Sequence, residues 1–218
     1  MVAASWYFDL ISPFAYLQWQ RLRSQTLQGS CKLELSLKPV LLGVLLNHHG
    51  QLGPAEIPSK RAFTYHFVRW QAARMGVDLR FPPAHPFNPL LALRLVLAMG
   101  CEAEVVDRVF AHIWRDGRAA DSVEALLTGE LGAWLSTRTQ AMHELLSNAS
   151  VKVALKSNTD EAIARGVFGV PTLAIGKELF FGADATDFAL AYARDPSILA
   201  DVESVRLNTL PVAIERRR

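Results

Sequence analysis

Two short stretches, far apart in the chain, combine residue types that can hold a reactive anion. They are Asp9-Leu10-Ile11-Ser12-Pro13-Phe14 and Gly169-Val170-Pro171-Thr172. Ser12 followed by Pro13 is the order expected of a helix N-cap and the first helical residue. A helix start gathers N–H groups that lack intrahelical partners, together with a partial positive charge, so an anion is favoured there. The Ser12 hydroxyl adds one more donor but no redox chemistry. Pro171 precedes the apolar run Leu173-Ala174-Ile175, and a proline suits a strand entrance because it lacks the donor that a strand interior needs. A cis Val170-Pro171 bond would leave the preceding N–H and C=O open to a ligand. Each stretch also has a plainer reading, Ser12 as a cap alone and Val170-Pro171 as a loop-to-strand junction.

The remaining chemistry-bearing residues say less. Cys31 and Cys101 form no C-x-x-C pair, and their contexts read as strand and helix start, so both are expected to be plain thiols in a reducing compartment, the cytoplasm. His48-His49 lacks a third ligand and reads as a solvated or helix-capping pair. Arg61, Arg69 and Arg74 read as the charged face of a helix, and Trp70 and Trp114 as core or pocket wall. The net charge is only +2 over 218 residues, part of it in the Arg216-Arg217-Arg218 tail, and there is no basic stripe with interleaved aromatics. A nucleic-acid partner is therefore not expected. Neither is a membrane partner, since no stretch reaches the roughly 18 to 20 apolar residues of a span.

The elements that position the two stretches follow from periodicity. Ser5–Ile11 reads as a strand rich in Trp6, Tyr7 and Phe8, then a helix from Pro13 to about Leu27, then a strand over Lys32–Lys38 with alternating leucines. Helices are predicted over 40–47, 60–75, 88–99, 102–115, 123–130, 138–148 and 150–165, with breaks at Pro54, Pro58, Pro82-Pro83 and Pro86. Strands over Thr172–Ile175 and Glu178–Phe181 flank a Gly176-Lys177 turn, and Asp184 opens a last helix. The order β-α-β, helical block, β-β-α is an α/β chain resembling the thioredoxin-like fold with a large all-helical insertion. Residues 1–39 and 166–218 would form the thioredoxin-like domain, and 40–165 the insertion.

In thioredoxin-like proteins the first helix begins beside the proline loop, which implies that Ser12 and Val170-Pro171 face each other across a cleft. Ser12-Pro13-Phe14-Ala15 contains no thiol, so the sulfur would come from a bound cofactor, glutathione being the obvious candidate. Phe8 to Leu17, Val109-Phe110 with Trp114 and Gly117, and Val167 to Thr172 through Phe181-Gly182-Ala183-Asp184 resemble, in order over residues 5–193, the 2-hydroxychromene-2-carboxylate isomerases. That family is similar to kappa-class glutathione transferases and, more distantly, to DsbA-like oxidoreductases.

The resemblance implies a glutathione-dependent isomerase that interconverts 2-hydroxychromene-2-carboxylate and trans-o-hydroxybenzylidenepyruvate, or a related aromatic enone acid, in naphthalene-type degradation. It implies that Ser12 is the catalytic residue that binds the glutathione sulfur. Val170 would pair its backbone with the cysteinyl part and Pro171 would be the cis-proline. Asp184, after Gly182-Ala183, would hold the γ-glutamyl ammonium, although an aspartate there is also a good helix cap. Gln51 and Lys60 would reach carboxylates of cofactor or substrate, and Asn88 would line the substrate pocket. Lys60 first, then Asn88, would stabilise the enolate that thiolate addition produces. Gln51, Phe63 and Phe67 replace the more usual Asn, Tyr and Asp, which points to a substrate other than the family's namesake. A homodimer is also implied. The alternatives are a kappa-like glutathione transferase and a non-catalytic thioredoxin-fold binding module.

Overall fold

The computed structural model describes residues 1–27, 33–138 and 142–214, so Cys31, Gln140 and Arg216-Arg217-Arg218 lie outside the described residues. Four strands form one sheet in the order β2-β1-β3-β4, from β1 (Val2–Phe8), β2 (Leu33–Pro39), β3 (Thr172–Ile175) and β4 (Glu178–Phe181). β2 lies parallel to β1 across the crossover helix α1 (Pro13–Leu27), whereas β1–β3 and β3–β4 are antiparallel. The register sets Phe8 opposite Pro39, Tyr7 opposite Thr172, and Thr172 opposite Phe181. The segments that follow β1 and β2, precede β3 and follow β4 therefore emerge at the same end of the sheet.

Alternation along β1 sorts its rings between two apolar layers. Trp6 and Phe8, both fully buried, join the larger cluster, where Trp6 stacks on Phe8 and Trp19 at centroid separations of 4.4 and 5.2 Å. Tyr7 joins Val40, Leu45, Ala162 and Val170 on the other face. Between β2 and β3 the chain forms α2 (Leu42–His48), α3 (Pro58–Met75), α4 (Leu90–Ala98), α5 (Ala103–Phe110), α6 (Val123–Leu126), α7 (Gly129–Ser136), α8 (Met142–Ser147) and α9 (Ala149–Ala164). After the sheet come α10 (Thr186–Arg194) and α11 (Val202–Leu207). No helix among the described residues is long and apolar enough to cross a membrane.

Several expected boundaries move, each for a local reason. β1 ends at Phe8 rather than Ile11, because the Asp9 carbonyl accepts the Ser12 N–H (3.1 Å) and its carboxylate accepts that of Ile11 (3.1 Å), turning the chain. The helix read over 123–130 is two helices, broken before Gly129, whose φ of +62° favours glycine. The helix read over 102–115 is α-helical only to Phe110 and continues as one π turn, Ala111–Arg115. Cys101 lies in a left-handed turn (φ +55°) ahead of α5 rather than at its start. α10 begins at Thr186, with Ala185 and not Asp184 in the capping position.

Candidate active site

At the shared end of the sheet the β1–α1 turn is held on every side. Ser12 is buried (7 % exposed), and its Oγ accepts the Ala15 N–H at 3.2 Å, as an N-cap does. No acceptor among the described residues takes the hydroxyl proton, which leaves it available for donation. Pro13 has no N–H to satisfy, so the first helical turn presents the Phe14 N–H beside it. Asp9 lies almost wholly out of solvent, and its second carboxylate oxygen accepts the Leu42 N–H at 2.8 Å, tying the turn to α2. Burial raises its pKa to about 7, although the backbone donors oppose the shift. The Leu10 carbonyl accepts the Trp114 indole N–H (2.9 Å), and the Ile11 carbonyl lies 2.9 Å from His85 Nε2.

The proline loop lies next to this turn in the register. The Val170–Pro171 bond is cis, and the Pro171 carbonyl accepts the Gly182 N–H at 2.8 Å. Among the described residues nothing hydrogen-bonds to the Val170 backbone N–H or C=O, although Val170 itself is buried. Phe168 and Phe181 pack together over the loop, with ring centroids 4.9 Å apart. Gly169 permits this contact, since a Cβ there would meet the Phe181 ring at 2.7 Å.

A third segment, Gly182–Ala183–Asp184, is fastened to α1 by Gln18. This buried amide accepts from Trp6 Nε1 (2.7 Å) and donates to the Gly182 carbonyl (3.0 Å) and Thr186 Oγ1 (2.9 Å). Sequence reading missed Gln18 because its partners lie up to 168 residues away. Asp184 and Ala183 close one end of a groove of about 650 Å³ between α1 and α3. On the α3 side of that groove the buried Gln71 Oε1 has no hydrogen-bond partner among the described residues.

The insertion supplies the remaining expected residues. Lys60 is exposed in the first turn of α3, and Gln51 is exposed ahead of it in the loop after α2. Neither lines the groove. Asn88 is exposed, and its Oδ1 accepts the Leu90 N–H (3.0 Å) at the start of α4, while its amide N–H groups have no partner among the described residues. α3 also carries a row of rings, Phe63, Phe67 and Trp70, which reaches Phe14 of α1. Trp114 is core, whereas Trp70 is 52 % exposed with Arg74 over its face. His49 caps α2 through its N–H, with its ring nitrogen 3.2 Å from the Val167 carbonyl. No cluster that could hold a metal ion occurs among the described residues.

Residues 5–193 match the DSBA-like thioredoxin domain. Over 184 residues the chain is 34 % identical to a 2-hydroxychromene-2-carboxylate isomerase of Pseudomonas putida, covering 82 % of this chain and 87 % of that protein. It is 26 % identical to glutathione S-transferase kappa 1 of Rattus norvegicus, covering 85 % and 88 %. A solved 2-hydroxychromene-2-carboxylate isomerase superposes with a TM-score of 0.75 at 25 % identity, over 92 % of this chain and 98 % of that one.

Proposed function

Since the chain belongs to the 2-hydroxychromene-2-carboxylate isomerases within the DSBA-like thioredoxin family, we propose that it is an isomerase that uses glutathione to interconvert an aromatic enone acid between its isomers. The observation that carries this reading is the pairing of Ser12, buried at the α1 N-terminus with its proton free, with the unpaired Val170 backbone and no cysteine in Ser12-Pro13-Phe14-Ala15. A thiol peptide fits such a site. Its backbone would pair with Val170 beside Pro171, and its sulfur would take the Ser12 hydroxyl. Its ammonium would meet Asp184, next to Ala183, in the groove that Gln71 lines from the α3 side.

Bound there, the thiolate supplies reversible conjugate addition, which makes the enone double bond a single bond that rotates before the sulfur leaves. Ser12 and the helix start would keep the sulfur ionised by lowering a thiol pKa from its usual value of about 8.5. Lys60, or the free amide of Asn88, would spread the charge that builds on the substrate oxygen, and Gln51 would reach a carboxylate. On this reading residues 1–39 and 166–218 supply Ser12, Val170-Pro171 and Asp184 to the cofactor, while 40–165 add Gln51, Lys60 and the α3 wall of the groove and choose the substrate. The cytoplasm and a homodimer complete the proposal.

Calorimetry with glutathione is the first test, and no binding at millimolar concentration would remove the reading. The likeness to a kappa-class glutathione transferase favours one second reading, in which the adduct is released as product. Ultraviolet absorption and mass spectrometry separate the two, because the isomerase returns an isomer of unchanged mass and the transferase a stable adduct. In a non-catalytic binding module, Ser12→Ala would leave ligand handling unaltered.

A further inference from the structure

The segment between α3 and α4 folds back over the β1–α1 turn and delivers His85 to it. The ring sits among Tyr65, Phe81, Phe87 and Trp114, at centroid distances of 5.3 to 6.3 Å. A carbonyl only accepts, so the 2.9 Å contact to the Ile11 oxygen places a proton on Nε2. In the neutral ring Nδ1 is then the acceptor, and Tyr65 Oη stands 2.7 Å from it. Tyr65 Oη is also 2.8 Å from the His85 carbonyl, so its single proton serves two acceptors.

The Ile11 carbonyl and the Ser12 N–H belong to the same planar peptide unit. His85 holds its oxygen and the Asp9 carbonyl holds its N–H at 3.1 Å. Fixing that plane at both ends, with the Ser12 carbonyl on the far side of its Cα held by the Tyr16 N–H at 3.2 Å, fixes the direction in which the Ser12 side chain leaves the backbone. We propose that His85 is a positioning residue for Ser12, acting through the Ile11–Ser12 peptide and itself oriented by Tyr65.

The groups facing the ring are uncharged on most sides: Trp114 from the π turn, Phe81 and Phe87 from its own loop, and the Ile11 carbonyl from the β1–α1 turn. α3 brings the Tyr65 phenol and the charge of Arg61. Burial, aided by Arg61 and opposed by the Ile11 carbonyl, holds the imidazole below the usual histidine pKa. At pH 7 the ring is therefore neutral, and the bond to Ile11 is kept without a buried cation.

The inference rests on the proposed role of Ser12 in binding a thiol, so it is tested with and without ligand. His85→Phe keeps a ring in the box and loses the donor, whereas His85→Gln restores an amide N–H. In the free protein, exchange of the Ser12 amide, followed by NMR, should quicken about tenfold or more in His85→Phe and recover in His85→Gln. With glutathione bound, the thiolate absorbance near 240 nm should need a higher pH in His85→Phe, with kcat down about tenfold and KM little changed. Tyr65→Phe, a milder change remote from Ser12, should give the same trend in smaller measure. Unchanged Ser12 exchange in folded His85→Phe, or in Tyr65→Phe should His85→Phe not fold, overturns the proposal. Loss in His85→Phe without recovery in His85→Gln overturns it as well. Wild-type protein that binds no glutathione overturns the cofactor reading instead and leaves the amide measurement to decide the role of His85.

Discussion

Ser12 has two separable duties, and one substitution reads both. Its oxygen caps α1, so Ser12→Ala should lower stability by about 1 kcal/mol in urea unfolding. Its proton is the donor proposed for the sulfur, and a hydrogen bond to a charged group is worth about 1.5–3 kcal/mol. The pKa of bound glutathione should therefore rise by roughly one to two units in Ser12→Ala, read by thiolate absorbance against pH. Asp9 predicts a different pH signature. Its carboxyl titrates at about 7 when folded and near 3.9 when unfolded, so between those values the folded chain holds a proton that the unfolded chain has lost. Its contribution to stability is full below about pH 4, falls as the pH rises and is gone above about 7. Urea midpoints measured from pH 5 to 8 should show this decline in the parent and a flatter profile in Asp9→Asn. Ser12 was legible in the sequence because a cap and a following proline are neighbours. His85 was not, because nothing near it announces a partner 74 residues away.

At the scale of elements, the site depends on how α1 is fastened to the loop after β4. Gln18→Leu would strand the buried Trp6 N–H and cut both links to the 182–186 segment. An unsatisfied buried polar group costs about 1–3 kcal/mol, so thermal unfolding should move several degrees lower. Affinity for the proposed glutathione should fall as well, since the 182–186 segment that carries Asp184 is no longer tied to α1. Sequence reading placed β3 and β4 at their observed limits because Pro171 and the Gly176-Lys177 turn mark them locally. It extended β1 too far because Leu10 and Ile11 continue the apolar run, while the Asp9 carboxylate that ends the strand acts through hydrogen bonds that apolar spacing does not encode. It missed α11, a short exposed helix with no buried residue and hence no apolar stripe to detect.

For the molecule as a whole, Cys101 reports on opening. Its thiol donates to the Leu37 carbonyl and is pushed up to about 12 by burial, so almost no thiolate exists at neutral pH. Peptide-resolved mass spectrometry should find Cys101 unalkylated at pH 7.5 in native protein and modified at the rate of unfolding in urea. Labelling as fast as a free thiol would contradict the packing. The sheet architecture was legible because β-α-β and β-β-α patterns bracket the helical block, and the resemblance already set Ser12 across from Val170-Pro171, whereas the residue-by-residue register that brings the two ends together is carried by no motif. On the ribosome, β1 and β2 can pair as soon as both emerge, yet the partner for the other side of β1 follows roughly 130 residues later. At about 5–20 residues per second that is on the order of ten seconds. During that time Ala4–Tyr7 presents an apolar, unpaired edge of the kind that recruits stray strands. Nascent chains stalled before Thr172 should therefore need chaperone cover that full-length chains no longer require.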